Sequence, residues 1–208
     1  MKVVIITVPM TYPDVIEALI YPVEGNKAIE YSKPVRSPIS GILANTMKKG
    51  EDVKVIYIMT TGKNSFCEHN KKVFIEELEA INKDIGANVC YDAVDMEFLA
   101  TKQTYNKLIT DLTDKIPENA ELYADITYGF KPEILSLFCA LRFAEEFRDV
   151  VVQYFIYGKA ERNKETRQIE YQMIFDITSL YYLFKLIGSI DASDAESASD
   201  KLKDFFAM

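Results

Sequence analysis

Val3-Val4-Ile5-Ile6-Thr7-Val8 constrains the fold more than any other stretch of the chain. Side chains branched at Cβ favour extended backbone. A run with no polar alternation offers no face to water, so it reads as a central strand covered on both sides. Similar apolar runs recur at Val53 to Met59, Val89 to Val94, Leu122 to Ala124 and Val150 to Tyr157. Helical periodicities separate them: Val73, Phe74, Leu78 and Ile81 share one face, Tyr105, Leu108, Ile109 and Leu112 another, and Pro132 to Phe147 forms a third pattern. Strands alternating with helices predict βαβ units, hence an α/β fold with a mostly parallel sheet flanked by helices.

Departures from this alternation fall at the two ends. Ile20 to Val23 and Ala28 to Tyr31 flank Gly25-Asn26 and predict a small hairpin. Ser37-Pro38 predicts a helix through Lys48, with serine as N-cap. Gly158 to Arg167 reads as an exposed turn, after which Ile169 to Phe175 pairs antiparallel with Val150 to Tyr157. Asp176-Ile177-Thr178-Ser179 opens an aromatic-rich helix through Ile187. Residues 1–190 read as one domain. Residues 191–208, which begin with an acidic stretch, read as a linker or a short C-terminal helix.

Composition removes several classes of function. A net charge of −8 argues against a double-stranded nucleic-acid surface, which needs a positive stripe. The apolar runs are far shorter than the ~20 residues of a spanning helix, and the β-branched N-terminus does not resemble a signal peptide. The expectation is a cytoplasmic protein. Cys67, Cys90 and Cys139 are odd in number and widely spaced, which predicts buried or half-buried thiols rather than disulfides or zinc ligands. His69, the single histidine, leaves no histidine-based metal site and no triad, and reads as a solvated surface residue. Glu76-Glu77 and Glu145-Glu146 read as solvated helix faces. No metal or cofactor is expected.

Three polar segments follow strands and therefore fall at one edge of the sheet: Pro9-Met10-Thr11-Tyr12-Pro13, Thr60-Thr61-Gly62-Lys63-Asn64-Ser65, and Asp125-Ile126-Thr127-Tyr128-Gly129-Phe130-Lys131. Ligands of open α/β sheets bind at that edge, where helix N-termini offer free N–H groups to anions. The phosphate loop GxxxxGK[ST] and the dinucleotide fingerprint GxGxxG are both absent. Asp125 and Thr127 have two readings of equal weight: satisfying loop N–H groups and capping the next helix, or contacting a ligand. Lys131 is either solvated or directed at an anion on the helix N-terminus. Tyr12 and Tyr128 lie in loops where bases stack.

The third segment resembles the Asp-x-Thr-His-Gly-Phe-Arg signature of CRISPR-associated DxTHG-motif proteins, whose CARF domain is a Rossmann-like ligand-sensing fold. The order of elements is similar over residues 3–187. Tyr128 stands where the family has histidine, which removes a proton-transfer group. Lys131 stands where it has arginine, which keeps the charge and loses the planar fork. The resemblance implies a homodimer that binds a cyclic oligoadenylate across its two-fold axis, with ligand contacts from Pro9, Met10, Thr11, Tyr12, Thr60, Thr61, Gly62, Lys63, Asn64, Asp125, Thr127, Tyr128, Gly129, Phe130 and Lys131. A symmetric polyanion suits a symmetric cleft. An effector domain or protein is implied as well, and no recognisable effector motif occurs in the chain, so it reads as a sensor domain alone or one cut from a longer protein. One alternative is a metal-independent ring nuclease on the same site, in which a ribose 2′-OH attacks the adjacent phosphodiester; Lys63, Lys131, Thr61 and Thr127 are its candidates. Another is a ligand-independent scaffold subunit that docks through Leu180 to Ile187.

Overall fold

The computed structural model describes residues 1–62, 65–99 and 101–207. In chain order the elements are β1 (Lys2–Thr7), β2 (Val23–Glu24), α1 (Pro38–Thr46), β3 (Asp52–Thr61), α2 (Cys67–Ile85), β4 (Asn88–Glu97), α3 (Lys102–Lys115), β5 (Glu121–Asp125), α4 (Lys131–Phe147), β6 (Val151–Arg162), β7 (Ile169–Asp176), α5 (Thr178–Ser189) and α6 (Ala195–Ala207). The strands form one seven-stranded sheet in the order β2-β7-β6-β5-β1-β3-β4. All neighbours pair parallel except β6 with β7, which run antiparallel.

Every residue of β1 is buried, as its unbroken apolar run requires. Its alternate side chains feed two separate cores. Val4 and Ile6 pack with Ile39, Leu43, Phe74 and Leu78 of α1 and α2. Val3 and Ile5 pack with Leu108, Leu112, Leu137, Leu141 and Tyr181 of α3, α4 and α5. The sheet is therefore the middle of three layers. The α2 periodicity runs to Ile85 and stops at Gly86, whose φ of 79° makes it a left-handed C-cap. Among the described residues no helix is long and apolar enough to cross a membrane.

Several sequence expectations are corrected. The Gly25-Asn26 hairpin does not form. The Asn26 side chain accepts from the Ala28 N–H, which turns the chain into a 3-10 turn at Lys27–Ile29. Val23 and Glu24 pair instead with the distant β7. Thr60 and Thr61 belong to β3 rather than to the loop after it. β6 runs on to Arg162, because β7 offers it a partner along that length, and the turn shrinks accordingly. The helix after Pro38 ends at Thr46, short of Lys48. Ser37 does stand at its N-cap position, but makes no capping bond, and its hydroxyl is buried without a partner. Residues 195–207 are helical, the second of the two expectations for the acidic tail.

Cys67 is buried, but Cys90 and Cys139 are exposed, one on an edge strand and one on the outer face of α4. Glu77 and Glu145 are not solvated. Glu77 accepts from the Arg36 and Ser37 N–H groups at 2.6 and 3.1 Å, and burial pushes its carboxyl up. Glu145 is bonded by Arg142 (2.9 Å) and the Tyr181 hydroxyl (2.6 Å).

Candidate functional site

With β1 placed between β5 and β3, the carboxyl ends of these three strands are neighbours. The chain leaves β1 toward α1 on one face, whereas β5 leads into α4 on the other. That divergence makes the β1–β5 boundary a topological switch point. The three segments singled out in the sequence meet around it, with Lys63 and Asn64 lying outside the described residues.

The Asp125 carboxylate, 1% exposed, organises the third segment. Its Oδ1 accepts from the Thr127 N–H (2.9 Å) and the Thr127 hydroxyl, and its Oδ2 accepts from the Ile39 N–H (3.2 Å) in the first turn of α1. Asp125 thereby supplies from another strand the cap that Ser37 does not. The Thr127 hydroxyl also accepts from the Gly158 N–H at 2.8 Å. It replaces the carbonyl that β5, ending at Asp125, no longer offers to β6.

The same device occurs a second time. Asp176 accepts from the Thr178 N–H (3.0 Å) and hydroxyl (2.6 Å), and the Thr178 hydroxyl accepts from the Phe155 N–H (2.8 Å). The two Asp-Ile-Thr units thus cap β6 from its two sides. Thr7 completes the arrangement: its hydroxyl donates to the Asp125 carbonyl (3.1 Å) and accepts from the Tyr128 N–H (3.3 Å).

Beyond these anchors the segment opens toward solvent. Tyr128 leans on Phe74 and donates its hydroxyl to the Arg36 carbonyl at 3.0 Å. Gly129 is obligatory by space, because a Cβ there would lie 2.9 Å from Thr7 Cγ2 and 3.1 Å from Ile134 Cγ1. Phe130 packs edge-on against Phe98 at 5.2 Å. Lys131 is exposed at the start of α4. Pro132 lacks an N–H, so the Lys131 and Glu133 N–H groups are the free donors of that turn.

The first segment is held by α2. Asn70, buried in the second turn, donates through Nδ2 to the carbonyls of Pro9 (2.8 Å) and Thr11 (2.9 Å), and the Phe66 N–H donates to the Met10 carbonyl (3.2 Å). Tyr12 is exposed, with its ring edge-on to Phe66. Thr11, Thr127 and Tyr128 line a cleft of about 410 Å³ with Tyr21, Tyr157, Lys159 and Arg162. Met10, Thr61 and Gly62 line a separate hollow of about 440 Å³ with Phe98 and Leu99. The Thr61 hydroxyl donates to the Met96 carbonyl (3.2 Å). The candidates therefore form two adjoining groups bridged by the loop after β1. His69 is exposed, as expected, and lines a mixed-charge hollow on α2 with Arg36, Asp14 and Glu76.

Sequence reasoning missed Asn70, Tyr157, Lys159, Arg162 and, above all, Glu133. Glu133 is 2% exposed in the first turn of α4 and accepts from the buried Thr60 hydroxyl at 3.2 Å through Oε2. Its Oε1 has no partner. Burial raises its carboxyl to about 7, against the opposing pull of the Thr60 hydroxyl and the Phe130 N–H. The spacing Phe130-x-x-Glu133, an acid three residues after an N-cap, was the available signal. Burial likewise pushes Asp125 to about 6, with the Thr127 and Ile39 bonds pulling the other way.

Because both folded values exceed those of ordinary carboxyls, the folded state keeps protons that the unfolded chain releases. Their stabilisation is complete below about pH 4 and is lost as pH rises through 6 for Asp125 and 7 for Glu133. The expected result is a stability, read as the urea midpoint, that falls between pH 4 and 8, by roughly 3 kcal/mol for each group. Glu133→Gln flattens the upper half of that profile, and a midpoint that rises over the range contradicts the assignment.

Among the described residues no cluster of three His, Cys, Asp or Glu side chains could hold a metal ion. The architecture and its switch point are those of a Rossmann-like α/β protein. The chain matches no protein-family model and no curated protein sequence.

Proposed function

We propose that this chain is a cytoplasmic sensor of cyclic oligoadenylate in type III CRISPR antiviral defence, acting as a homodimer that binds one ring across its two-fold axis. The observation that carries the reading is the meeting, at one switch point, of the Asp125–Lys131 segment with the loop after β1 and the end of β3. The Asp-x-Thr part of the signature builds the loop, and the residues after it face the ligand. The cleft offers the Tyr128 and Tyr157 rings to bases, and outside its lining Lys131 and the first turn of α4 are offered to phosphate.

A second copy is supported by the outer face of α4 and α5. Leu135, Phe143, Phe147, Leu180, Phe184 and Ile187 are all exposed there, and Phe138 joins the two helices through Phe184 at 5.0 Å. At their exposures these side chains leave on the order of 700 Å² of apolar surface open, near the ~800 Å² per partner of a stable interface and above what a monomer ordinarily leaves uncovered.

Lys131→Ala separates sensing from ring cleavage. The side chain is exposed, so the fold is unaffected. Loss of one charge-assisted phosphate contact weakens ring binding about tenfold or more. In a sensor, calorimetric affinity is the quantity that drops, and chromatography of the same samples shows intact ring for wild type and variant alike. Linear products from wild type, with cleavage lost in the variant while affinity holds, instead establish the ring nuclease.

A further inference from the structure

We propose that Glu133 is a positioning residue that exchanges a proton with ligand: an anion settling on the first turn of α4 drives a proton onto its buried carboxyl. This rests on the anion-binding reading above and adds its regulation by pH.

The geometry makes Glu133 and a bound phosphate rivals. Both would occupy the field of one helix N-terminus, Glu133 as its third residue and the phosphate through the Lys131 and Glu133 N–H groups. Ionised, the carboxylate holds the positive end of the helix for itself and repels the ligand. Neutral, it leaves that field to the ligand. The carboxyl is suited to either state. It is enclosed, no cation among the described residues is in salt-bridge reach of it, Oε2 rests on a hydroxyl that can donate or accept, the Phe130 N–H of the helix N-terminus faces the carboxyl, and Oε1 is left without a hydrogen bond. A buried carboxylate without a cation is expensive to keep charged, so a nearby anion tips it readily.

The groups facing it do not offer a competing proton site. From β3 comes the Thr60 hydroxyl; from α2 comes the Cys67 thiol, which burial pushes up. On α4 itself Lys131 is exposed. Asp125 lies on the opposite face of the sheet, bonded to α1. By reciprocity, if the anion raises the proton affinity of Glu133, the proton raises the affinity for the anion by the same factor.

The test is calorimetric titration of the intact chain with cyclic tri-, tetra- and hexa-adenylate at pH 6.5, 7.5 and 8.5, each in two buffers of different ionisation enthalpy. The phosphodiesters and adenines of these probes do not titrate in that range. Wild type is expected to take up a fraction of a proton per site at pH 7.5 and to bind several-fold to about tenfold more weakly at pH 8.5 than at 6.5. Glu133→Gln is expected to bind with one affinity across the range and no proton uptake, while His69→Gln keeps the wild-type profile. The buffer comparison counts the protons in wild type alone, so the proposal stays testable if Glu133→Gln does not fold. Binding without proton uptake overturns this linkage and leaves the sensor reading standing. No binding of any ring at any pH overturns both.

Discussion

Asp125→Ala is expected to destabilise the protein by about 3–5 kcal/mol, read as a fall in the urea midpoint at constant slope. The substitution strands three donors at once: the buried Ile39 N–H and the half-buried Thr127 N–H and hydroxyl. An unsatisfied buried donor costs about 1–3 kcal/mol, and the Ile39 N–H is also the donor that the cap of α1 satisfies. Loss of the Thr127 anchor then frees the Gly158 N–H of β6. Asp176→Ala is the internal comparison, since it removes the same Asp-Ile-Thr device at a half-exposed position. Water replaces the lost acceptor there, and the expected cost is about 1 kcal/mol. Equal losses at the two positions would contradict the role assigned to burial and to the α1 cap.

Gly158→Ala is the second large effect, at about 2–4 kcal/mol. A Cβ at this position would lie 2.5 Å from Cγ of Pro38 and 2.9 Å from Oγ1 of Thr127. Pro38 is a rigid ring in the first turn of α1, so relief requires α1 to move away from β6, and over-packing of this kind costs about 1–3 kcal/mol or more. The displacement also strains the Thr127 hydroxyl and through it Asp125. Gly188→Ala, in the last turn of α5 with open space around it, is expected to leave the midpoint unchanged or raise it slightly. A neutral Gly158→Ala would mean that α1 and β6 are not held as closely as described.

These two residues show where sequence reading succeeds and where it stops. The strands and helices were legible because their signals are local. The unbroken β-branched run of β1 and the 3.6-residue period of α2 each announce themselves within one element. From the alternation of elements it also followed that the three loops share an edge. Gly25-Asn26 misled because a side-chain bond to the Ala28 N–H, two residues on, outweighed the hairpin turn. Ser37 misled in the opposite direction, since the cap on the Ile39 N–H comes from Asp125, 86 residues away in sequence. Glu77 looked solvated because nothing on its own helix reports that Arg36 and Ser37 will present N–H groups to it. Glu133 was hidden in the same way, its partner Thr60 lying at the end of another strand. For Asp125 and Thr127 the sequence allowed two readings, and the bonds they make serve the loop: the acid caps α1, and the hydroxyl caps β6. What the site offers outward begins after them, with Tyr128 and Lys131.

The most direct test of the account is calorimetric titration of the purified protein with cyclic tri-, tetra- and hexa-adenylate, with the oligomeric state read by light scattering on the same sample. The account predicts tight binding of one ring size, with one ligand per two chains and a dimer in solution. A monomer that releases no heat with any of the three rings would contradict it.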